Sequence, residues 1–199
     1  MKELLIATTN SGKLLEYRAI IKDFNLEIKA VSLKEINIGQ KIEETGQTFA
    51  ENAVEKARFY QSLSGLATLA DDAGLEIDYL EGEPGVKTRR WPGYEASDQE
   101  LIQMALRKLE GVPSEKRTAQ LRAVIALVFP GDEKNYTFEG ILRGHIAETP
   151  MTAKRFDGYP FRSIFIPQGA SNYLGEMSII AHRRQAFEKA LPIIKKYLC

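Results

Sequence analysis

Short apolar runs and helix-period patterns alternate along the first hundred residues. Residues 4–7 form an apolar run typical of a buried strand, and apolar residues at helical spacing predict a helix behind the polar turn that follows. Capping boxes at 48–51 and 97–100 mark the starts of two further helices. A brief apolar strand over 66–69 lies between them, and we expect it to end in a turn at Gly74.

The rest of the chain shows mainly strand patterns, with one helix at its end. Residues 121–129 and 136–146 flank a Pro-Gly-Asp-Glu spacer and predict a long antiparallel hairpin. One further strand is expected over 163–166, and a helix from His182 that Pro192 kinks or restarts. Together the elements predict an α/β fold, with a mixed, elongated and bent β-sheet flanked by helices in two lobes around a central cleft.

Composition and charge narrow the functional classes. The chain has 199 residues, of which 27 are basic and 27 acidic, so no overall field draws it to nucleic acid or an anionic membrane. The only cysteine, Cys199, excludes an internal disulfide and fits a reducing compartment. No stretch approaches the roughly 18 apolar residues of a membrane span. We therefore expect a cytoplasmic protein with a single domain over residues 1–199.

A polar loop joins the first predicted strand to the first helix. Its members offer hydroxyl, amide and ammonium groups: Thr8, Thr9, Asn10, Ser11, Gly12 and Lys13. Backbone N–H groups, the positive end of the helix dipole and the lysine together suit a phosphate chain. The glycine spacing of a Walker A motif is absent, so an ordinary capped turn is the alternative.

Two acidic clusters lie at the ends of predicted elements. Glu43 and Glu44 precede the first capped helix, and Asp71 and Asp72 follow the strand over 66–69. Mg²⁺ is held by one or two protein carboxylates together with phosphate oxygens and waters, a set that these acids can supply. Solvated loop charges and an Asx-capped turn are the alternative, but the adjacent apolar strand favours a site.

Cations and aromatic rings elsewhere offer further contacts to a nucleotide. Lys56 lies within the first capped helix, where a solvated lysine is the alternative. His182 and Arg183 open the last helix, where the dipole disfavours cations unless an anion or carbonyl is near. An arginine can grip a phosphate or a purine carbonyl through its fork of donors. Aromatic faces that could stack on a base, or belong to the core, are Tyr159, Phe161 and Phe165.

In their order along the chain, these segments resemble the Ham1-like inosine triphosphate pyrophosphatase family. The family's Thr-x-Asn-x-x-Lys loop resembles residues 8–13, and its Glu-Thr-Gly, Thr-Phe, Glu-Asn-Ala and Lys-Ala string resembles residues 43–57. The family's Asp-Asp-Ser-Gly-Leu is similar to residues 71–75, which are followed by Gly-Glu-Pro-Gly-Val at 82–86. His-Arg at 182–183 resembles the end of its Ser-His-Arg signature.

The resemblance implies hydrolysis between the α and β phosphates of inosine, deoxyinosine or xanthosine triphosphate. It also implies Mg²⁺ and a homodimer, while the zero net charge argues against a nucleic-acid or membrane partner. Asp72 would orient and deprotonate the water beside Lys56, with the metal held by Glu44, Asp71 and Asp72. The substrate-binding residues that it implies are Thr8, Thr9, Asn10, Ser11, Gly12, Lys13, Ala73, Phe161, Arg162, His182 and Arg183.

The second half departs from the family pattern in the region expected to bind the base. The family's Phe-Gly-Tyr-Asp-Pro-Ile-Phe corresponds to residues 159–165, with Arg162 at the usual aspartate. Ala181 replaces the serine before His-Arg, and the shortened stretch 176–180 lacks the usual lysine. Two alternatives therefore stay open: a Maf-like pyrophosphatase with another base preference, and a nucleotide-binding protein without turnover. A nucleic-acid-binding module is the least expected, because the net charge is zero.

Overall fold

The structure, a computed structural model, describes residues 1–151, 158–177 and 181–199. Its strands are β1 (Lys2–Ile6), β2 (Ile28–Ser32), β3 (Ala67–Ile77), β4 (Thr118–Val128), β5 (Tyr136–Ile146) and β6 (Phe165–Pro167). Its α-helices are α1 (Ser11–Asp23), α2 (Phe49–Ser64), α3 (Asp98–Lys108) and α4 (Ala181–Leu198). Short 3-10 helices span Asp78–Leu80, Gly85–Arg90, Ser114–Lys116, Pro160–Ser163 and Leu174–Glu176. Within these described ranges, every helix is too short or too polar to span a membrane.

The strands form one mixed sheet in the order β2-β1-β3-β4-β5-β6. β1 pairs in parallel with both of its neighbours, with Leu4 opposite Ala30 on β2 and opposite Ala67 on β3. β5 and β6 are antiparallel. β4 and β5 are neighbours joined by residues 129–135, a connection too short for a parallel crossover, so they form the predicted hairpin. The predicted α/β class with a mixed sheet is thereby confirmed.

The chain divides into two compact units, each with its own apolar core. The first unit comprises Met1–Asp72, Ala123–Gly140 and His182–Cys199, and the second comprises Ala73–Arg122 and Ile141–Ala181. The core of the first unit includes Leu5, Val31, Ala53, Ala57, Tyr60, Ala126 and Val128. The core of the second unit includes Leu75, Ile77, Leu101, Ala105, Ile146, Phe161 and Phe165. The single domain over residues 1–199 stays a prediction.

In the first unit, α1 packs against α4 through aromatic side chains. The ring of Phe187 lies 6.1 Å from that of Phe24 and 6.3 Å from that of Tyr17, measured between centroids. Gly140 on β5 comes so close to the first turn of α4 that a Cβ there would overlap the carbonyl oxygen of His182. The missing side chain at Gly140 therefore sets how closely the start of α4 approaches the sheet.

Both capping boxes are present as predicted. Thr48 accepts from the N–H of Glu51 at the start of α2, and the Glu51 carboxylate returns to the N–H of Thr48. Ser97 and Glu100 make the same reciprocal pair at the start of α3. Each pair satisfies two backbone donors that a helix start leaves without intrahelical partners.

The predicted turn at Gly74 is wrong, and so is a restart of the last helix at Pro192, whereas a kink there stays a prediction. β3 continues through Asp71 and Asp72 to Ile77, because side chains from three helices hold the two acids within the strand. α4 runs unbroken past Pro192, where burial of Ile194 packs the following turn against the core. Within the stretch that the sequence shows as shortened, residues 178–180 lie outside the described residues.

Candidate active site

The pairing of β1 with β3 brings the polar loop and the two aspartates to the same part of the first unit. Ile6 lies opposite Leu69, and the N–H of Ala7 donates to the carbonyl of Leu69 at 2.8 Å. Because the strands are parallel, the residues that follow β1 run beside those that follow Leu69. The loop over residues 8–13 and the Asp71–Asp72 pair are therefore neighbours.

The loop is shaped by its own side chains. Asn10 is the N-cap of α1, and its Oδ1 accepts from the N–H groups of Gly12 at 2.9 Å and Lys13 at 3.2 Å. Thr8 Oγ1 accepts from the N–H of Asn10 at 3.1 Å. The capped turn is thus present, while Thr9 and Ser11 are exposed. Phosphate binding by this loop stays a prediction.

Asp71 is a buried carboxylate held by cations from two helices. Only 2% of the residue is exposed, yet Oδ1 lies 3.1 Å from Lys13 Nζ, and Oδ2 accepts from Arg183 Nε at 2.9 Å. Burial alone would raise the pKa of Asp71, but the charges of Lys13, Arg183 and Lys56 hold that pKa well below its usual range. Burial conversely lowers the pKa of Lys13, against the attraction of Asp71.

Arg183 lies among acids of the first unit. Its guanidinium donates to Glu16 at 3.1 Å as well as to Asp71, and Nη1 lies 3.2 Å from Nε2 of His182. The residue is 3% exposed. These contacts explain how Arg183 can lie in the first turn of a helix, because acids from β3 and α1 compensate the unfavourable dipole. A direct contact of His182 or Arg183 with the base stays a prediction.

Asp72 has different surroundings from its neighbour. Consecutive strand residues point to opposite faces, and Asp72 accepts at Oδ2 from Nδ2 of Asn52 on α2 at 2.9 Å. The residue is 8% exposed, and burial raises its pKa, with the negative charge of Glu44 adding to the effect. A carboxylate with a raised pKa is a stronger base than an exposed aspartate.

Lys56 connects the two acidic clusters. It lies one helical turn after Asn52, on the same face of α2, and forms an ion pair with Glu44. Its Nζ also donates to the backbone carbonyl of Asp71 at 2.9 Å. Burial disfavours the ammonium ion, but the charges of Glu44, Asp72 and Asp71 outweigh it and raise the pKa of Lys56. Lys56 is therefore a charged group among the acids.

The acids are already engaged by partners from the protein. In the part of the chain that the structure describes, no three acidic, histidine or cysteine side chains are grouped closely enough to hold one metal ion. Asp71 contacts two cations and Glu44 contacts Lys56, while Glu43 is exposed. Metal binding by Glu44, Asp71 and Asp72 stays a prediction. A metal site among these residues would use fewer than three protein ligands.

The remaining predicted residues belong to the second unit. Phe161 is 4% exposed and packs edge-on to Trp91, with 6.5 Å between ring centroids, so its ring is part of a core. Phe165 is fully buried, so its ring belongs to the core and is not exposed for stacking on a base. The Arg162 guanidinium lies 4.4 Å from the ring centroid of Tyr159. Ala73 is half-buried. Stacking of Phe161 on a base stays a prediction.

Comparison with known proteins identifies the family. Residues 4–193 match the sequence model of the Ham1 family. The chain belongs to the Ham1 family. The dITP/XTP pyrophosphatase of Bacillus licheniformis is 39% identical to it over 194 residues, which cover 95% of this chain and 96% of that protein. The enzyme of the same name from Bacillus subtilis is 38% identical over 200 residues, covering 98% of both.

Solved structures of Ham1 proteins have the same fold. A HAM1 protein from Coxiella burnetii superposes with a TM-score of 0.83 at 37% identity, covering 98% of this chain and 100% of that one. A nucleoside-triphosphatase described as a dITP/XTP pyrophosphatase, from Mycobacterium abscessus, superposes with a TM-score of 0.71 at 31% identity, covering 99% and 98%. The resemblance seen in the sequence is confirmed, and these relatives favour a Ham1 protein over a Maf-like one.

Two residues of this cluster carry no prediction from the sequence. Asn52 bonds Asp72, and its signal was its place one helical turn before Lys56 on the same face of α2. Glu16 bonds Arg183, and it lies one turn after Lys13 on α1. Helical spacing from a residue already suspected would have found both.

Proposed function

We propose that this Ham1 protein is a pyrophosphatase that hydrolyses dITP, ITP and XTP to the nucleoside monophosphate and pyrophosphate. The proposal rests on the surroundings of Asp72. This buried carboxyl group has a raised pKa, accepts a hydrogen bond from Asn52 and lies near the charges of Lys56 and Lys13. The Bacillus relatives named dITP/XTP pyrophosphatase match over nearly the whole chain, which supports the choice of substrates.

Cations of the first unit bind the phosphate chain. A triphosphate carries about four negative charges, which have to be offset before a nucleophile approaches phosphorus. Lys13 is the best placed, because 16% of its side chain is exposed beside the capped loop and its present partner is Asp71. Lys56, with 12% of its side chain exposed, supplies a second charge next to Asp72. Phosphate groups of the substrate thus replace part of the ion pairing of Lys13 with Asp71 and of Lys56 with Glu44.

Asp72 orients the attacking water and accepts its proton. Burial raises the pKa of Asp72 and so strengthens it as a base, while Lys56 keeps the ionised form populated by opposing that rise. The bond from Asn52 fixes the orientation of the carboxylate. Loss of a positioned general base typically costs about 10²–10⁴ in turnover.

Mg²⁺ fits the donor set with two protein carboxylates. Asp72 and Glu44 would hold it, because the negative charge of Glu44 contributes to the raised pKa of Asp72, a repulsion that a cation relieves. Mg²⁺ takes one or two protein carboxylates together with phosphate oxygens, so no third acid is required. When bound, the ion supplies positive charge at the phosphate oxygens.

A preference for oxo-purines follows from hydrogen-bond pairing. A 6-oxo group accepts from an arginine donor, whereas the 6-amino group of adenine leaves that donor without a partner. A buried mismatch of this kind costs about 1–3 kcal/mol. Arg162 and Arg183 are the candidate donors. We expect ATP to be cleaved with a lower kcat/KM than ITP for this reason.

The assembly and the location are further parts of the proposal. A homodimer is expected from the family resemblance, and static light scattering of the purified protein should give twice the mass of 22.4 kDa. A mass equal to one chain would contradict it. A cytoplasmic location is proposed because the expected substrates are free nucleotides.

The test is pyrophosphate release with Mg²⁺ from inosine, xanthosine, adenosine, guanosine and pyrimidine triphosphates. Asp72→Asn should lose about 10²–10⁴ of kcat on the oxo-purines. Asp23→Asn is the matched control, because Asp23 makes an exposed ion pair with Arg184 at 2.6 Å, and it should keep wild-type activity. Equal kcat/KM for ATP and ITP would contradict the base preference. Turnover of pyrimidines would contradict the purine preference, and no turnover would favour a binding protein.

A further inference from the structure

Asn52 bonds two parts of the proposed site through one side-chain amide. Its Oδ1 accepts from the N–H of Gly46 at 2.8 Å, and its Nδ2 donates to Oδ2 of Asp72 at 2.9 Å. The residue is 3% exposed, so little water competes for these bonds. The partners also fix the orientation of the amide, because the Gly46 N–H can only donate and the Asp72 carboxylate accepts.

The Gly46 end of this connection is tightly fitted. A Cβ on Gly46 would lie 2.7 Å from Oδ1 of Asn52 and 2.9 Å from its backbone N, closer than ordinary contacts allow. The neighbouring N–H groups of Thr45 and Gln47 bond carboxylates of α2 at exposed positions, at 3.4 and 2.7 Å. The Gly46 bond is more shielded than these two, so Asn52 holds the loop that carries Glu44.

We propose that Asn52 is a positioning residue for the hydrolysis, a role that rests on the proposed function. The amide group is planar and its oxygen and nitrogen cannot move independently, so the loop at Gly46 and the carboxylate of Asp72 are held in one geometry. Asp72 and Glu44 are the two acids assigned to the water and the metal. Asn52 therefore sets their relative placement without touching the substrate.

Two substitutions separate the two ends of the amide. Asn52→Leu removes both bonds, whereas Asn52→Asp keeps an acceptor for the Gly46 N–H but cannot donate to Asp72 when ionised. Gln61→Leu is the matched control, because it removes an amide from the same helix outside this cluster. The measurements are kcat and KM for dITP with Mg²⁺, and hydrogen exchange of the Gly46 amide.

Both Asn52 variants should lose about 10- to 100-fold in kcat, as is usual when the partner of a metal or catalytic ligand is removed. KM should change by less than about threefold, because Asn52 does not bind substrate. Exchange of the Gly46 amide should accelerate in Asn52→Leu and stay near wild type in Asn52→Asp. Gln61→Leu should change neither property. Wild-type kcat in both Asn52 variants would overturn the proposal.

A double substitution tests whether Asn52 acts through Asp72. In an Asp72→Asn background, Asn52→Leu should reduce the residual kcat by a smaller factor than it does in the wild type, because residues that act as a unit are not additive. A full further loss would assign Asn52 a merely structural role and overturn the proposal. Absence of turnover in the wild type would overturn the proposed function and this role together, whereas an active wild type with unaffected Asn52 variants would overturn the role alone.

Discussion

Replacing Gly140 by alanine inserts one methyl group where β5 meets the first turn of α4. The new Cβ would overlap the carbonyl oxygen of His182 and lie 2.8 Å from the backbone N of Ala186. Both obstacles are helix backbone, which cannot rotate away as a side chain can. The start of α4 therefore has to retreat by roughly 2 Å to restore contacts of about 3.5–4 Å.

The displacement has a cost in stability and a cost in activity. Overpacking of this kind costs about 1–3 kcal/mol in the free energy of unfolding, which lowers Tm by about 2–12 °C for a chain of this size. Arg183 follows His182 directly and bonds Asp71 at 2.9 Å, so the same movement pulls it from its partner. Misplacement by 1 Å near the chemistry can cost about 10²-fold. We expect kcat/KM on dITP to fall by about 10- to 100-fold.

The assay pairs thermal unfolding with pyrophosphate release, and Gly39→Ala is its control. A Cβ on Gly39 meets nothing within 4 Å, so alanine there should leave kcat/KM unchanged and Tm unchanged or slightly raised. A Gly140→Ala protein with the Tm and kcat/KM of the Gly39→Ala protein would refute the reasoning. A lower Tm with full kcat/KM would show that activity does not depend on the present position of Arg183.

Three further predictions concern stability. Arg117→Met should cost about 2–5 kcal/mol in chemical denaturation, because the buried guanidinium donates to three backbone carbonyls that would be left unsatisfied; a loss below about 1 kcal/mol would contradict this. The hydrogen bond from Tyr197 is the main cause that lowers the pKa of Asp132 to about 2, compared with about 3.9 in the unfolded chain. The ionised Asp132 therefore stabilises the fold above about pH 4, and this stabilisation is lost as the pH falls towards 2. Asp132→Asn should therefore flatten the acid side of a plot of Tm against pH, and an unchanged acid side would exclude this origin. Ser97→Ala should lower the unfolding free energy by about 1 kcal/mol through loss of the cap to Glu100, whereas no change in urea unfolding would mean that the cap is not stabilising.

Local signals in the sequence predicted the elements whose stabilising partners are close along the chain. Each capping box is complete within four residues, so Thr48 and Ser97 marked the starts of α2 and α3 correctly. The hairpin of β4 and β5 was visible because a turn sequence separates two apolar runs. The capping boxes and the hairpin can therefore be predicted without knowing any contact between residues far apart in the sequence.

The strand β3 could not be predicted beyond Leu69 for the opposite reason. Two aspartates followed closely by a glycine are typical of a turn, and a strand through them requires partners for buried carboxyl groups. Asp71 finds one in Arg183, which is 112 residues away along the chain. Only the tertiary fold shows that this charge is compensated, so the turn preference was overridden by distant ion pairs.

Most charged residues of the candidate cluster were predicted from the sequence, whereas Asn52 and Glu16 were missed. Lys13, Lys56, Asp71 and Asp72 lie together, as the order of the motifs suggested. Asn52 carries no charge and lies inside a helix pattern, where an amide is unremarkable. Its partners become visible only when α2 is placed against β3.

The ion pairs of Asp71 impose an order on the maturation of the protein. During synthesis, Lys13 and Asp71 leave the ribosome long before Arg183 exists, because chains emerge from the N-terminus. Until α4 docks, burial of Asp71 lacks one of its compensating charges and is unfavourable. A nascent or truncated chain that ends before Arg183 therefore keeps this part of its sheet open to proteases. We therefore expect the sheet around Asp71 to become resistant to proteases only when α4 has docked.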